Sequence, residues 1–284
     1  MGRFEITTAG AADLPTLRRW ADDEGWNPGE SDLPAFQAAD PRGFLLGRLD
    51  GEPVASVSAV RHGPGFGFLG LYIARPEVRG QGYGMRMWRA AMERFGDRNV
   101  GLDGVVAQQD NYRRSGFRHA WNHIRYEGTL PTGAAADAPD GVTLVDGRSL
   151  PFAVLADHDR RYFPGERDTF LAQWVALPTH TSLAAVADGA LRGFAVARPA
   201  SRGTRIGPLH ADSEATAHAL LTALATTARP GPLVLDVPDV NPPAVRLVER
   251  LGFTPVFECA RMYTGPTPET DTAGIFAATT IELG

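Results

Sequence analysis

The chain contains no lysine: all 28 of its basic residues are arginine. That excludes Schiff-base catalysis and a P-loop of the Walker type, both of which need a lysine amine. The bland cause is codon bias in a GC-rich genome. There is one cysteine, Cys259, so an internal disulfide and a cysteine-based metal site are both excluded, and no metal is expected. No run approaches the ~18 apolar residues of a membrane span. The opening "MGRFEITTAG" has no basic stretch followed by an apolar one, and Ile6 stands where a myristoylation motif needs Ser or Thr. The net charge is −5, with no basic stripe for phosphate contacts, so neither nucleic acid nor membrane is expected as a partner. These absences favour a cytoplasmic protein. What is present is an ordinary globular balance, 43% hydrophobic and 21% charged, in 284 residues, a length that suggests two domains.

The segment "TLPTGAAADAPDGV" (129–142) is rich in Ala, Gly, Pro and Asp without periodicity and reads as a linker between domains at 1–130 and 141–284. The two sides carry a similar order of elements. In the first, Phe4–Thr7 reads as a strand, "AADLPTLRRWADDEGW" as a helix, and "SDLPAFQAAD" as a short helix with Ser31 as candidate N-cap. Two strands follow about the turn Asp50-Gly51, then the strand "FGFLGLYIA", a helix over 83–95, the strand "NVGLDGVVA", a short helix ending at Gly116, and a closing strand, "FRHAWNHIRYEG". The second side repeats this more loosely, with a hairpin about Asp188-Gly189 and a late helix capped by Asn241 with Pro242 at its first position. The fold class expected is mixed α/β, two tandem related domains, each with a twisted, largely antiparallel sheet flanked by helices.

The most informative stretch is "LYIARPEVRGQGYG" (71–84). Gly80, Gly82 and Gly84 lie between a strand and a helix, where glycine permits positive φ and close approach of a ligand. A helix N-terminus offers free N–H groups to an anion, and Arg79 adds a bidentate phosphate donor. For an isolated Gly-x-Gly, a tight turn without ligand is the commoner explanation. A dinucleotide fingerprint would need glycine at 85, which is Met. What fits is Arg-x-x-Gly-x-Gly at Arg79, Gly82 and Gly84. Placed after that strand, it closely resembles the acyl-coenzyme A motif of the GNAT superfamily of N-acetyltransferases. Tyr112, Gly116 and Phe117 match the superfamily's later Tyr-x-x-x-Gly-Phe helix. The resemblance covers residues 4 to about 127. One departure is Val105-Val106-Ala107-Gln108, where members often carry Asn-x-x-Ala, so the helix before Tyr112 should be short; Asn111 is the candidate asparagine on the cofactor. The whole chain, through "GWNPG", "FGFLGLYI" and "FAATTIELG", also resembles a two-domain bacterial subgroup in which an intact first domain precedes a divergent copy.

The copy is expected to be chemically silent. The interval from Gly207 to Asp236 is four residues shorter than that from Gly70 to Asp103, and the deficit falls where the Arg-Gly loop should be. Glu214 stands at the start of the next helix, where it would repel an anion. Val248 takes the tyrosine's place. His210 and Asp212 look like a catalytic pair, but a strand-end His and a helix cap explain them more cheaply. Packing, acceptor binding and homodimer formation are the roles left for this half.

The resemblance implies an acetyl-CoA-dependent transfer to a primary amine of a small molecule. The loop Arg79, Gly80, Gln81, Gly82, Tyr83 and Gly84 would hold the pyrophosphate, and the strand Leu71, Tyr72 and Ile73 would pair with the pantetheine as a pseudo-strand, with the Ile73 N–H at the thioester oxygen. Tyr112 is the candidate general acid, since a phenol near pKa ~10 is balanced against a thiol of roughly 8.5–10. A core tyrosine packed before Gly116 is the alternative. No unique base is visible. Among the acids of "ADDEGWNPGESD", Glu24, with Trp26, is preferred for a cationic acceptor. Two other functions compete: an acyl-CoA-binding sensor without catalysis, and protein acetylation.

Overall fold

The computed structural model describes residues 2–131 and 137–284. Part of the linker read at 129–142, residues 132–136, lies outside the described residues.

The first half runs β1 (Phe4–Thr8), α1 (Leu14–Asp23), α2 (Asp32–Ala39), β2 (Phe44–Leu49), β3 (Glu52–His62), β4 (Phe66–Ala74), α3 (Tyr83–Phe95), β5 (Asn99–Val105), α4 (Gln109–Arg114) and β6 (Arg118–Gly128). The second runs β7 (Thr143–Asp146), α5 (Phe152–Asp159), α6 (Asp168–Ala176), β8 (Thr181–Ala187), β9 (Ala190–Pro199), β10 (Thr204–Ala211), α7 (Glu214–Ala225), β11 (Leu233–Pro238), α8 (Pro242–Arg250), β12 (Thr254–Tyr263) and β13 (Ile275–Ala277). The expected mixed α/β fold with two related halves is present. α3 starts and stops where its periodicity said, and it buries Met87, Trp88, Ala91 and Phe95. Asn241 caps α8, its side chain accepting from the Ala244 N–H, and Pro242 opens the helix. Ser31 stands at the N-cap of α2, but its side chain makes no cap hydrogen bond.

Sequence reading placed β6 as the strand that closes the first half. The strands instead form one sheet in the order β1-β2-β3-β4-β5-β12-β6-β11-β10-β9-β8-β7, with β13 on β10. Thus β12, from the second half, lies against β5, and β6, from the first half, lies against β11. The two closing strands are exchanged and pair with each other antiparallel, Cys259 opposite His123.

Buried charge matches this exchange. Arg261 of β12 donates from Nε and Nη2 to both oxygens of Asp103 on β5, each at 2.8 Å. Arg125 of β6 donates from Nε to Asp236 on β11 at 2.7 Å, and Arg205 of β10 also binds Asp236. A buried carboxylate without its cation is strongly unfavourable, so each pair holds an exchanged strand in register.

A second joint is apolar. α2 packs on α6, with Phe36 stacked on Trp174 at 6.0 Å between ring centroids. That core also takes Leu14, Leu17 and Leu46 from the first half and Leu155, Val196 and Leu283 from the second. Asp32, fully buried, accepts from Arg198 Nε of β9 at 3.0 Å.

Candidate active site

β4 and β5 are parallel partners only from Phe66 to Leu69, opposite Asn99 to Leu102. β4 then bulges: Ser58 pairs with Gly70 and Ser56 with Ile73, so Leu71 and Tyr72 face the single residue Val57. Leu71 takes φ 45°, an uncommon conformation for a branched side chain. The Leu71 carbonyl is held by the Ser56 hydroxyl at 2.8 Å. A bulge of this kind bends its strand away from its neighbour. The result is a cleft of about 830 Å³ between the diverging strands, at the N-terminus of α3.

The residues expected to act together do converge there. Leu71, Tyr72, Ile73, Arg79, Gly80, Gly82, Gly84, Asn111, Tyr112, Glu24 and Trp26 all line the cleft. Two do not. The Gln81 side chain turns back to donate to the Glu77 carbonyl at 2.9 Å, and Tyr83 stacks on Phe4 at 4.6 Å. Gly80 (φ 78°) and Gly82 (φ 86°) have empty space where a side chain would stand, so the loop is open to a ligand and closed to other residue types.

Arg79 donates from Nε to the Ala74 carbonyl at 2.8 Å and from Nη2 to Glu24. Glu24 therefore belongs to the phosphate-loop end of the cleft, away from the acceptor role given it with Trp26. The anionic carboxylate occupies the guanidinium that would meet a phosphate. Asn111 donates to Gln108, just before its own short helix, and accepts from Arg114 at the end of that helix. α4 is indeed a short helix, Gln109–Arg114, preceded by a single tight turn.

Tyr112 is 9% exposed. One face stacks on Trp88 at 5.7 Å and an edge meets Phe117 at 6.4 Å, while the side chain also borders the cleft. It is both a core tyrosine and a cleft residue, so the two readings of it are compatible. Burial, with Tyr72 nearby, pushes its phenol well above the ordinary value. It is protonated throughout the neutral range, but the same shift makes it a weaker acid than the free phenol that would be balanced against the thiol.

The far wall comes from the second half, through residues that the sequence did not single out. Phe257 of β12, Ile281 and Glu282 line the cleft beside Trp26. Residues 278–284 are threaded between the halves. The Arg198 and Arg167 guanidiniums hold Thr279, and Arg167 Nη1 donates to the Gly284 carbonyl at 2.9 Å. This segment passes so close to Gly70 that a Cβ there would lie 2.1 Å from the Glu282 carbonyl oxygen. The Trp26 loop is fixed from the same side. Arg125 Nη1 donates to the Trp26 carbonyl at 2.6 Å, and Asn27 exchanges hydrogen bonds with the Arg202 backbone, both 3.0 Å.

The matching place in the second half is filled. β10 pairs with β11 only over Thr204–Ile206 and breaks register against β9 between Ile206 and Leu209. Beyond the break, where the first half keeps its cleft, β10 pairs with β13. The strand groups that would meet a ligand are bonded to the chain itself. Glu214 opens α7 and pairs with Arg250, and Val248 is buried. His210 is buried against Tyr162, with ring centroids 4.2 Å apart, and burial, with His158 adding to it, holds it well below its ordinary pKa.

Asp103, His123 and Cys259 lie together at metal-ligand spacing. Both Asp103 oxygens already accept from Arg261, and burial keeps the Cys259 thiol protonated. A cation would have to displace a bidentate guanidinium, so this donor set does not suit one.

The split sheet, the glycine loop and the tyrosine beside it are the features on which the resemblance to the GNAT superfamily rests, and comparison with known proteins shows the family. The chain matches the Acetyltransferase (GNAT) family over residues 12–117 and the Acetyltransferase (GNAT) domain over residues 155–277. It is 31% identical over 270 residues, 94% of this chain and 90% of the relative, to Holothin acyltransferase of Pseudoalteromonas sp. (strain SANK 73390). The chain belongs to the GNAT acetyltransferase family, with two GNAT domains in tandem, and is an acyltransferase. Its fold is shared with a putative acetyltransferase from Pyrococcus horikoshii (TM-score 0.81, 22% identity, 99% of this chain and 96% of that one). It is also shared with a tandem GNAT protein from the clavulanic acid biosynthesis pathway (TM-score 0.63, 16% identity, 93% of this chain and 100% of that one). Among the described residues no helix is long and apolar enough to cross a membrane.

Proposed function

We propose that the protein transfers an acetyl group from acetyl-CoA to a primary amine of a small molecule. The observation that carries this reading is the continuity of one cleft from the open glycine loop, past the unpaired edge of β4, to Tyr112 and an aromatic mouth. Glycines at 80 and 82 that leave room for a ligand, and a strand edge with no partner beyond Leu69, fit an elongated phosphorylated thiol ester.

Acetyl-CoA brings an activated thioester. Arg79, released from Glu24, and the α3 N-terminus hold the phosphates, while Leu71 and Ile73 offer backbone groups to the pantetheine. The Ile73 N–H polarises the carbonyl. Tyr112 gives its proton to the departing thiolate. Trp26 and Phe257 take the body of the acceptor, which favours an amine on a flat or apolar frame. The second half supplies Phe257, Ile281 and Glu282, closing the acceptor side to a size that suits a small molecule better than a polypeptide. It serves the first half as a wall and takes no cofactor of its own.

The relative's name specifies acyl transfer and holothin, so longer acyl groups and that acceptor belong in the first panel. Calorimetry with acetyl-CoA should give one site per chain. Thiol release with an amine panel tests transfer. Two equivalent sites, or tight binding with no thiol release for any amine, would overturn the reading.

A further inference from the structure

Gly80 and Gly82 leave open space for a ligand, but the third glycine of the loop does not. A Cβ at Gly84 would lie 3.0 Å from the Tyr72 hydroxyl oxygen and 3.7 Å from the ring carbon that carries it. The missing side chain makes room for a phenol. Tyr72 follows Leu71 in the β4 bulge, and its side chain crosses to α3, where its ring lies 5.6 Å from that of Trp88.

The Tyr72 hydroxyl makes no hydrogen bond among the described residues. Its side chain is half-buried and lines the cleft. Burial raises its pKa, so it carries its proton at neutral pH and can donate it to a hydrogen bond. Free backbone donors stand beside it. The first hydrogen bond of α3 runs from the Arg86 N–H to the Gly82 carbonyl, which leaves the N–H groups of Tyr83, Gly84 and Met85 without a helical partner. One hydroxyl and three amides thus stand together at the end of the cleft that Arg79 also lines.

We propose that the Tyr72 hydroxyl donates a hydrogen bond to the pyrophosphate of acetyl-CoA, and that position 84 is glycine so that the phenol can stand there. This rests on the acetyl-CoA reading above. The contact comes from β4, outside the glycine loop, and is a side-chain role beyond the backbone pairing expected of that strand. The ring is already fixed against Trp88, so little freedom is lost when the phosphate arrives. Arg79 must first leave Glu24, whereas the neutral phenol and the amides have no partner to leave. They can meet the phosphates before the guanidinium does.

Tyr72 and Tyr112 both lie against Trp88, with ring centroids 5.6 and 5.7 Å from it, so a share in the proton step is the other use open to this phenol. The place of its oxygen, against Gly84 in the first turn of α3, favours the phosphate end.

The test compares the full-length protein with Tyr72→Phe, which keeps the ring against Trp88 and removes one oxygen. Calorimetry should show acetyl-CoA bound roughly 10-fold or more weakly, the effect of losing one hydrogen bond to a charged group. S-acetylpantetheine, which carries no phosphate, should bind variant and wild type alike. Gly84→Ala crowds the same oxygen, so it should weaken acetyl-CoA binding in the wild-type background and cost much less in the Tyr72→Phe background. Unchanged acetyl-CoA affinity in Tyr72→Phe overturns the proposal, and a slower turnover alongside it would give the hydroxyl to the proton step. Equal losses for both ligands also overturn it, because they would place the hydroxyl on the pantetheine or in the fold. Strictly additive effects of the two substitutions overturn the part given to Gly84. A wild type that binds no acetyl-CoA overturns the cofactor reading itself.

Discussion

Replacing Arg261 by methionine should unfold the molecule more easily than any ordinary surface change, and the pH dependence of that loss identifies its cause. Asp103 has no exposed side-chain surface, and Arg261 makes two hydrogen bonds of 2.8 Å to it. Burial works to raise the Asp103 pKa, but Arg261 and then His123 hold it down to about 2. In Arg261→Met a buried carboxylate keeps only His123, whose Nδ1 lies 3.0 Å from Oδ1. Breaking one side of a buried pair costs about 3–5 kcal/mol. For a chain of this size that is a fall in Tm of roughly 5–8 °C. In the wild type, the pair's contribution is complete above the unfolded Asp pKa of ~3.9 and is lost as pH falls through about 2. In the variant, burial is left without its main opponent and raises the pKa, so protonation in mild acid relieves the penalty. The deficit should be largest at pH 7 and shrink towards pH 4. The double variant Asp103→Leu with Arg261→Met should recover at least half of it. Urea denaturation followed by fluorescence measures this directly. Because β12 and β6 are exchanged, both halves should melt in a single transition. A deficit below about 1 kcal/mol at neutral pH, the range of exposed ion pairs, would refute the reasoning, as would a deficit that grows with acid.

Arg79→Ala should weaken acetyl-CoA binding by roughly 10- to 150-fold, the worth of a charge-assisted hydrogen bond of ~1.5–3 kcal/mol; unchanged affinity in calorimetry places the phosphates elsewhere. Tyr112→Phe should bind acetyl-CoA normally but turn over ~10²–10⁴-fold more slowly; a full rate across pH means another group protonates the thiolate. Gly70→Ala puts a Cβ 2.1 Å from the Glu282 carbonyl oxygen, a contact between two pieces of backbone that neither can swing away from. It should cost about 1–3 kcal/mol and depress turnover more than acetyl-CoA binding, and equal losses in both would show that the 278–284 segment does not shape the acceptor side.

Much of the chemistry was legible in the sequence because it is local. The Arg-x-x-Gly-x-Gly loop is a strand-to-helix turn, and its conformation depends on neighbours within six residues. The cap at Asn241, the turns at Asp50-Gly51 and Asp188-Gly189, and the spacing of Tyr112 to Gly116 and Phe117 are local in the same sense. The absent loop and the Val248 in the second half could be counted off along the chain. Those features sufficed for the family, and the glycine loop and the tyrosine that they single out line one cleft.

What tertiary structure alone decided is everything set by pairing between distant strands. A strand's sequence shows which face is apolar, but not which neighbour its backbone meets. The buried arginines at 125 and 261 are readable only once Asp236 and Asp103 are known to stand opposite them, 111 and 158 positions away. Glu24 looked like an acceptor-site acid until folding set it on Arg79. Glu282 gave no signal at all, being one acid in "FAATTIELG", a stretch with no turn, no periodicity and no strand pattern. Its place follows from two glycines, Gly70 and Gly207, that let residues 278–282 pass over both strand breaks. A close approach of this kind is a property of two remote backbones, and neither one alone encodes it.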